Sequence, residues 1–259
     1  MIVGRAEREQ PAAPARGQLA AVLWDMDGTL VDSHVLWQGA YQELAAQLGL
    51  ILTPTTWRRI AGRTIEASVQ ILGEDLGRPL KGAEVESACT WLTTHVCRLL
   101  ESRPSLVRWM PGARQALQVV QHAAVPTALV TTTWRDITVR MMATLGVHFD
   151  TTVCGDEILH GKPAPDCYLR AAELLGVEPA DCVAVEDSAT GVRAATEAGA
   201  AVLAVPSHGP IERGARRVIR SSLAGLTVAE LTTLVRRASR EYGAETSRSP
   251  TEGSTEGDE

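Results

Sequence analysis

Two spacings of apolar side chains divide the chain. Within residues 33–109 they recur three and four positions apart: Val35, Leu36, Leu44, Ala45 and Leu48, then Val69, Leu72 and Leu76, then Val85, Cys89, Leu92, Val96, Leu99 and Leu100. That spacing puts an apolar stripe on each of three helices, the first entered through a cap at Asp32 or Ser33. No strong strand is expected in this stretch. From Pro111 onward short apolar runs alternate with helical stretches. Helices over 112–123, 135–146, 165–176 and 189–199 precede strands at Thr127–Val130, Thr151–Cys154, Cys182–Val185 and Ala201–Val205, and a last helix covers 226–238. A further apolar run, Ala20–Trp24, lies ahead of the helical stretch. Such alternation with short connections predicts a parallel sheet covered on both faces.

The expected fold class is therefore α/β: a Rossmann-like core around a parallel sheet of five strands or more, with an α-helical block inserted after the first strand. The core takes residues 18–32 and 110–240 and the block 33–109, with chain crossings near Asp32–Ser33 and Met110–Gly112. Residues 1–17, polar and rich in Pro, Ala and Arg, form an expected disordered leader. Residues 241–259 form an expected disordered acidic tail with no aliphatic residue beyond Ala244.

Composition narrows the function classes. A net charge of −6 with no basic stripe argues against a nucleic-acid partner. No apolar run approaches a membrane span, and the N-terminal stretch has no apolar signal core, so neither a membrane partner nor export is expected. The five cysteines are odd in number and contain no CxxC pair. They read as free thiols, which suits a cytoplasmic setting. Of 25 basic residues only Lys81 and Lys162 are lysine, so each lysine stands out in a chain that otherwise uses arginine for positive charge.

The candidate chemistry sits at strand ends, where open α/β sheets bind ligands. Asp25 and Asp27 follow the first strand, and two carboxylates so close are costly unless a cation lies beside them. Asp25 is the candidate carboxylate nucleophile, and Asp27 the candidate acid for the leaving oxygen and then base for water. Gly28 lets the backbone turn sharply there. Thr131 ends the second strand, and with Thr132 and the N–H groups opening the next helix it makes a candidate phosphate cradle. A Thr triplet also suits a plain helix cap. Lys162, between His160-Gly161 and Pro163-Ala164-Pro165, would deliver an ammonium rigidly to the nucleophile and phosphoryl oxygens. Glu186 and Asp187 end a later strand. With Asp25 and the backbone carbonyl of Asp27 they make a candidate Mg²⁺ site, although Asp187 and Ser188 also suit a cap for the helix at 189.

Asp25-Met26-Asp27-Gly28-Thr29-Leu30, Thr131, Gly161-Lys162-Pro163-Ala164-Pro165-Asp166 and Glu186-Asp187-Ser188, in this order, resemble the four motifs of the haloacid dehalogenase superfamily. The wording is most similar to the branch of sugar-phosphate phosphatases, phosphoglycolate phosphatases and β-phosphoglucomutase. The resemblance implies Asp25 as nucleophile, Asp27 as acid/base, Thr131 and Lys162 as phosphate holders, and Asp187 with Glu186 at Mg²⁺. It also implies that the helical block is a C1 cap closing over the site. Gly62-Arg63-Thr64 is placed like that branch's substrate-contacting loop, which makes Gly62 and Arg63 candidate substrate residues. The function so implied is an Mg²⁺-dependent phosphatase acting on a small phosphorylated metabolite through an aspartyl-phosphate, as a monomer or homodimer. A phosphosugar mutase is the alternative, although the mutase's cap histidine is absent near Trp37. His34, three residues earlier, is expected to cap or to face outward. A non-catalytic binding protein on the same scaffold is the third reading. Trp37, Trp57, Trp91 and Trp109 lie in or beside the block, as core packing or as a platform for a sugar or base.

Overall fold

A computed structural model describes residues 17–207 and 209–246. The expected leader lies outside the described residues except for Gly17, and the expected tail lies outside them from residue 247 onward.

In chain order the elements are β1 (Ala21–Trp24), β2 (Val31–Asp32), α1 (His34–Gln47), α2 (Pro54–Ile60), α3 (Ile65–Asp75), α4 (Ala83–Ser102), β3 (Arg108–Trp109), α5 (Ala113–His122), β4 (Thr127–Val130), α6 (Arg135–Leu145), β5 (Thr151–Val153), α7 (Asp166–Leu175), β6 (Cys182–Glu186), α8 (Ala189–Glu197), β7 (Ala201–Ala204), β8 (Arg217–Ile219) and α9 (Val228–Thr246). Among the described residues, six strands form one sheet in the order β5-β4-β1-β6-β7-β8, every pair parallel. β1 sits at the centre. The chain builds outward from it on one side through β4 and β5, then crosses back to its other side with β6, so the crevice for a ligand opens at the ends of β1 and β6.

Both faces of the sheet are buried, which is why its strands read as unbroken apolar runs. Val22, Trp24, Leu129, Val183, Val185 and Leu203 point to a core shared with α5, α6, α9 and the helical block. Leu23, Val130, Ala184 and Val202 point to a second core with α7 and α8. One strand thus feeds two cores through its two-residue alternation.

Four features depart from the pattern-based expectation. β8 is a sixth strand of three residues at the sheet edge, too short and too polar to carry a strand signal. The block has a fourth helix, α2, set by the Thr53 side chain accepting from Thr56 N–H and by Pro54 in its first turn rather than by an apolar stripe. Ser33 occupies the N-cap of α1 but makes no side-chain cap bond, because its hydroxyl donates to Asp27 instead. α9 runs to Thr246, past its expected end at 238 and into the expected tail, through Arg, Glu and Ala residues that favour helix without an apolar period.

The two passages of chain that flank the helical block run side by side. β2 and β3 pair antiparallel, Val31 with Trp109 and Asp32 with Arg108. Met110 N–H then donates to Leu30 O at 2.9 Å. Gly112 follows immediately, with φ +79°, and a Cβ there would lie 2.2 Å from Ala224 N. Gly112→Ala is expected to lower stability by about 1–3 kcal/mol through overpacking at a left-handed position, read as a shift in the urea midpoint.

Candidate active site

The site grows from three neighbouring strand ends. Asp25 is the first residue beyond β1, and its N–H donates to Val185 O at 3.0 Å, which sets it beside the end of β6. Lys162 arrives from the loop between β5 and α7. Its Nζ donates to Asp25 Oδ1 at 2.7 Å and to Val130 O at 3.0 Å, and lies 2.6 Å from Glu186 Oε1. The Lys162 side chain is only 3% exposed. An ammonium so buried persists because its charge is matched and each proton has an acceptor.

Around that ammonium stand more carboxylates than it can neutralise. Asp25, Glu186 and Asp187 each place an oxygen within 4.8 Å of the others'. Burial, and next the Asp25 charge, raises the pKa of both Glu186 and Asp187, Asp187 to about 8. Burial works against the Lys162 charge, but Asp25 and Glu186 outweigh it and hold its pKa above the ordinary value. Asp25 Oδ2 is buried without a hydrogen-bond partner. A surplus of buried negative charge, hard oxygen donors and one unbonded carboxylate oxygen fit a small divalent cation such as Mg²⁺.

Two glycines make this crowding possible. A Cβ on Gly28, where φ is +85°, would lie 2.1 Å from Asp187 Oδ2. A Cβ on Gly191 would lie 2.0 Å from Glu186 Oε1. Ser188 does cap α8, its Oγ accepting from Gly191 N–H at 3.0 Å. The Asp187 side chain does not share that task and accepts from Ser207 Oγ.

The Asp27 carboxylate lies outside the group of three, and both of its oxygens are taken by other donors. Ser33 Oγ and Trp37 Nε1 donate to Oδ1, the indole at 2.8 Å, and Thr133 Oγ1 donates to Oδ2 at 2.7 Å. Burial raises the Asp27 pKa in spite of those three donors, which pull it down. An acid that must hold a proton and then release it suits such an environment.

A cavity of about 390 Å³ opens over Asp27 and Asp187. Thr132 and Thr133 line it, but Thr131 does not. The Thr131 hydroxyl faces inward at 1% residue exposure and accepts from Thr133 N–H at 3.1 Å, so it shapes the turn after β4. Gly62 and Arg63 line the opposite wall with Trp37 and Trp57. His34 departs from its expected outward or capping position: it is the first residue of α1, lines the cavity and meets Trp57 edge-on at 5.2 Å. The 62–66 segment reaches the core at several points. Thr64 Cγ2 lies 2.5 Å from where a Gly161 Cβ would be, and Trp134 Nε1 donates to Glu66 Oε1 at 3.1 Å.

Ser33, Trp37, Thr133, Ser207 and Tyr168 reach the candidate residues without having been singled out for it by the sequence. Thr133 stands 106 positions from Asp27, and no local pattern announces that contact. Tyr168, on the first turn of α7, donates to Glu186 Oε1 at 2.5 Å, and its ring lies under Lys162 Nζ at 5.3 Å. Tyr168→Phe leaves the shape intact and removes one donor to a buried carboxylate. It is expected to cost about 1.5–3 kcal/mol in urea unfolding without loss of the folded far-UV spectrum.

The family model of haloacid dehalogenase-like hydrolases matches residues 22–205. A phosphorylated carbohydrates phosphatase of Thermotoga maritima is 34% identical over 187 residues, which cover 70% of this chain and 82% of that protein. A fructose-1-phosphate phosphatase of Escherichia coli is 30% identical over 188 residues, covering 70% of this chain and 93% of that protein. Among solved structures, CbbY from Rhodobacter sphaeroides in complex with phosphate superposes with a TM-score of 0.72 at 26% identity, over 82% of this chain and 99% of that one.

Proposed function

This chain belongs to the haloacid dehalogenase-like hydrolase family and is a phosphoric monoester hydrolase, and from that premise we propose that it is an Mg²⁺-dependent phosphatase of small phosphorylated metabolites. The observation that carries the reading is the meeting of Asp25, Glu186, Asp187 and the buried Lys162 at one sheet edge, beneath a cavity that also exposes Asp27. Sugar phosphates, named for the two relatives above, are the first substrates to try.

Bound at Asp25, Glu186 and Asp187, Mg²⁺ would supply positive charge that draws the phosphoryl oxygens toward the nucleophile. Lys162 fixes the Asp25 carboxylate through Oδ1 and adds positive charge beside it. Asp25 attacks phosphorus to form an aspartyl-phosphate, and the ester bond to the alcohol breaks. Asp27 gives its proton to the departing alcohol oxygen. It then takes a proton from the water that attacks the aspartyl-phosphate, which releases inorganic phosphate and restores Asp25.

The donors on Asp27 bear on which oxygen carries that proton. The Trp37 indole can only donate, so Oδ1, which also receives Ser33, stays an acceptor. The Thr133 hydroxyl can reverse its bond and accept, which leaves Oδ2 as the proton-bearing oxygen. The helical block, as a cap carrying Ser33 and Trp37, would bring these donors to Asp27 while covering the site. A mutase must also hold a phosphosugar for return transfer, and an indole that cannot relay a proton occupies the place beside Asp27. A cytoplasmic setting agrees with five free, buried thiols and with the absence, among the described residues, of a helix long and apolar enough to cross a membrane.

Asp25→Asn is expected to abolish phosphate release from sugar phosphates while the protein stays folded. Asp27→Asn should lower kcat by about 10²–10⁴-fold. Both are read by phosphate assay beside far-UV circular dichroism, and an Asp25→Asn enzyme of near wild-type rate would refute the assignment. Mg²⁺ should raise the thermal midpoint of the wild type, and Asp187→Asn should abolish that rise.

A further inference from the structure

We propose that Thr64 and Glu66 are positioning residues: they dock the 62–66 segment of the helical block onto the core, and so aim Arg63 and Ile65 at the alcohol half of the substrate. The inference rests on the phosphatase reading and deepens it.

The segment joins α2 to α3 and is held at both ends. Arg63 N–H donates to Ile60 O at 3.1 Å, and the Thr64 hydroxyl caps α3 by accepting from Ala67 N–H at 3.2 Å. Ser68 Oγ, in the next turn, donates to Thr64 O at 2.9 Å. Along this short stretch the residues divide between two tasks. Gly62, Arg63 and Ile65 line the cavity. Thr64 and Glu66 meet the core instead.

The core loops they meet are the ones that carry the chemistry. Thr64 stands over Gly161, the residue before Lys162. A Cβ at Gly161 would lie 2.5 Å from Thr64 Cγ2 and 4.0 Å from Thr64 Cβ, with no other group beyond its chain neighbours inside that distance. Gly161 is not one of the glycines with positive φ, so its own backbone does not require it. The constraint comes from the helical block. The Thr64 methyl cannot rotate away without carrying its hydroxyl off the α3 cap. Glu66 Oε1 accepts from Trp134 Nε1 at 3.1 Å, and Trp134 directly follows Thr133, the donor to Asp27. A Cβ at Gly62 would lie 3.9 Å from Thr190 Oγ1, in the first turn of α8 beyond Asp187. The segment thus meets the loops after β4, β5 and β6, which deliver Thr133, Lys162 and Asp187. Its two anchors fix where Arg63 and Ile65 stand relative to the reacting groups, which is how a residue outside the cavity lining contributes orientation.

The test uses the full-length enzyme with Mg²⁺. It compares acetyl phosphate, whose leaving group is only an acetate, with the fastest of glucose 6-phosphate, fructose 1-phosphate and p-nitrophenyl phosphate. Glu66→Ala is expected to lower kcat/KM for the larger ester at least tenfold, chiefly through KM, and for acetyl phosphate less than threefold. Glu66→Gln keeps an acceptor for the indole N–H and should stay within threefold of wild type on both. Gly161→Ala should reproduce the Glu66→Ala loss. Adding Thr64→Ser to it should restore the rate to within threefold of wild type, because serine keeps the capping hydroxyl and drops the methyl. Damage to Lys162 by the new methyl would not be repaired at residue 64 and would strike acetyl phosphate equally. Equal losses on the two substrates, or no restoration by Thr64→Ser, overturns the positioning role and leaves the phosphatase standing. The docking is read without activity. The Cβ spacing of 4.0 Å falls in the disulfide range of about 3.5–4.5 Å. Thr64→Cys with Gly161→Cys should therefore form a 64–161 cross-link under mild oxidation, identified by peptide mass spectrometry, and its failure to form overturns the docking. Release of phosphate from none of the four compounds would refute the phosphatase reading and the kinetic role with it, while the cross-link still decides the docking.

Discussion

Everything chemical in this molecule is arranged around one buried ammonium. Lys162 sits between Asp25 and Glu186 and is tied to the backbone at Val130, so it joins the ends of three strands that are remote in sequence. Removing it would leave several buried carboxylates facing each other, an arrangement that is costly without a compensating cation. Placing it brings a compensating demand, because one positive charge does not balance three negative ones. Burial first, and then that imbalance, raises the pKa of Glu186 and Asp187, and a cation would offset both. The glycines at 28 and 191, the Tyr168 hydroxyl and the Ser207 hydroxyl all serve to keep the carboxylates at this spacing.

The acidic group at Asp27 is governed by a different balance. It is half-buried where the others are buried and does not share their company, since it faces the helical block and takes its hydrogen bonds from neutral groups. Two carboxylates separated by a single residue thus acquire different environments: one is held by an ammonium, the other by a hydroxyl pair and an indole. Pairs of acids driven apart in this way are how a single site supplies both a nucleophile and a proton donor.

What the sequence revealed follows from how local each signal is. The four longer strands of the sheet announce themselves as apolar runs, because each is buried on both faces within a few consecutive residues. Asp25, Lys162, Glu186 and Asp187 are legible for the same reason, each standing beside its strand or loop in a short distinctive string. Thr133 is less legible: the turn after β4, in which Thr131 accepts from Thr133 N–H, directs the Thr133 hydroxyl to an aspartate far away in the sequence. β8, α2 and the β2–β3 pair were not legible, since two to seven residues give no period and their partners come from elsewhere in the chain. Tyr168 carries no mark either, and Trp37 is legible only as core packing or a ring platform, as an aromatic on a helix gives no hint of which polar atom its tip will meet.

The pairing of β2 with β3 governs how the helical block can travel. Two independent single-strand tethers would let four helices tumble, slide and twist over the sheet edge. Tied to each other by Val31, Asp32, Arg108 and Trp109, the tethers act as one short ribbon, which bends readily across its face and resists shear along its length. Any movement of the block would thereby be confined to something near a single swing, like a door on a leaf hinge. Because Ser33 and Trp37 lie just beyond that ribbon, close to the axis, a wide sweep at the far helices amounts to a small displacement where Asp27 is met. Access for a bulky substrate and fine alignment of the proton donor can therefore coexist in one motion.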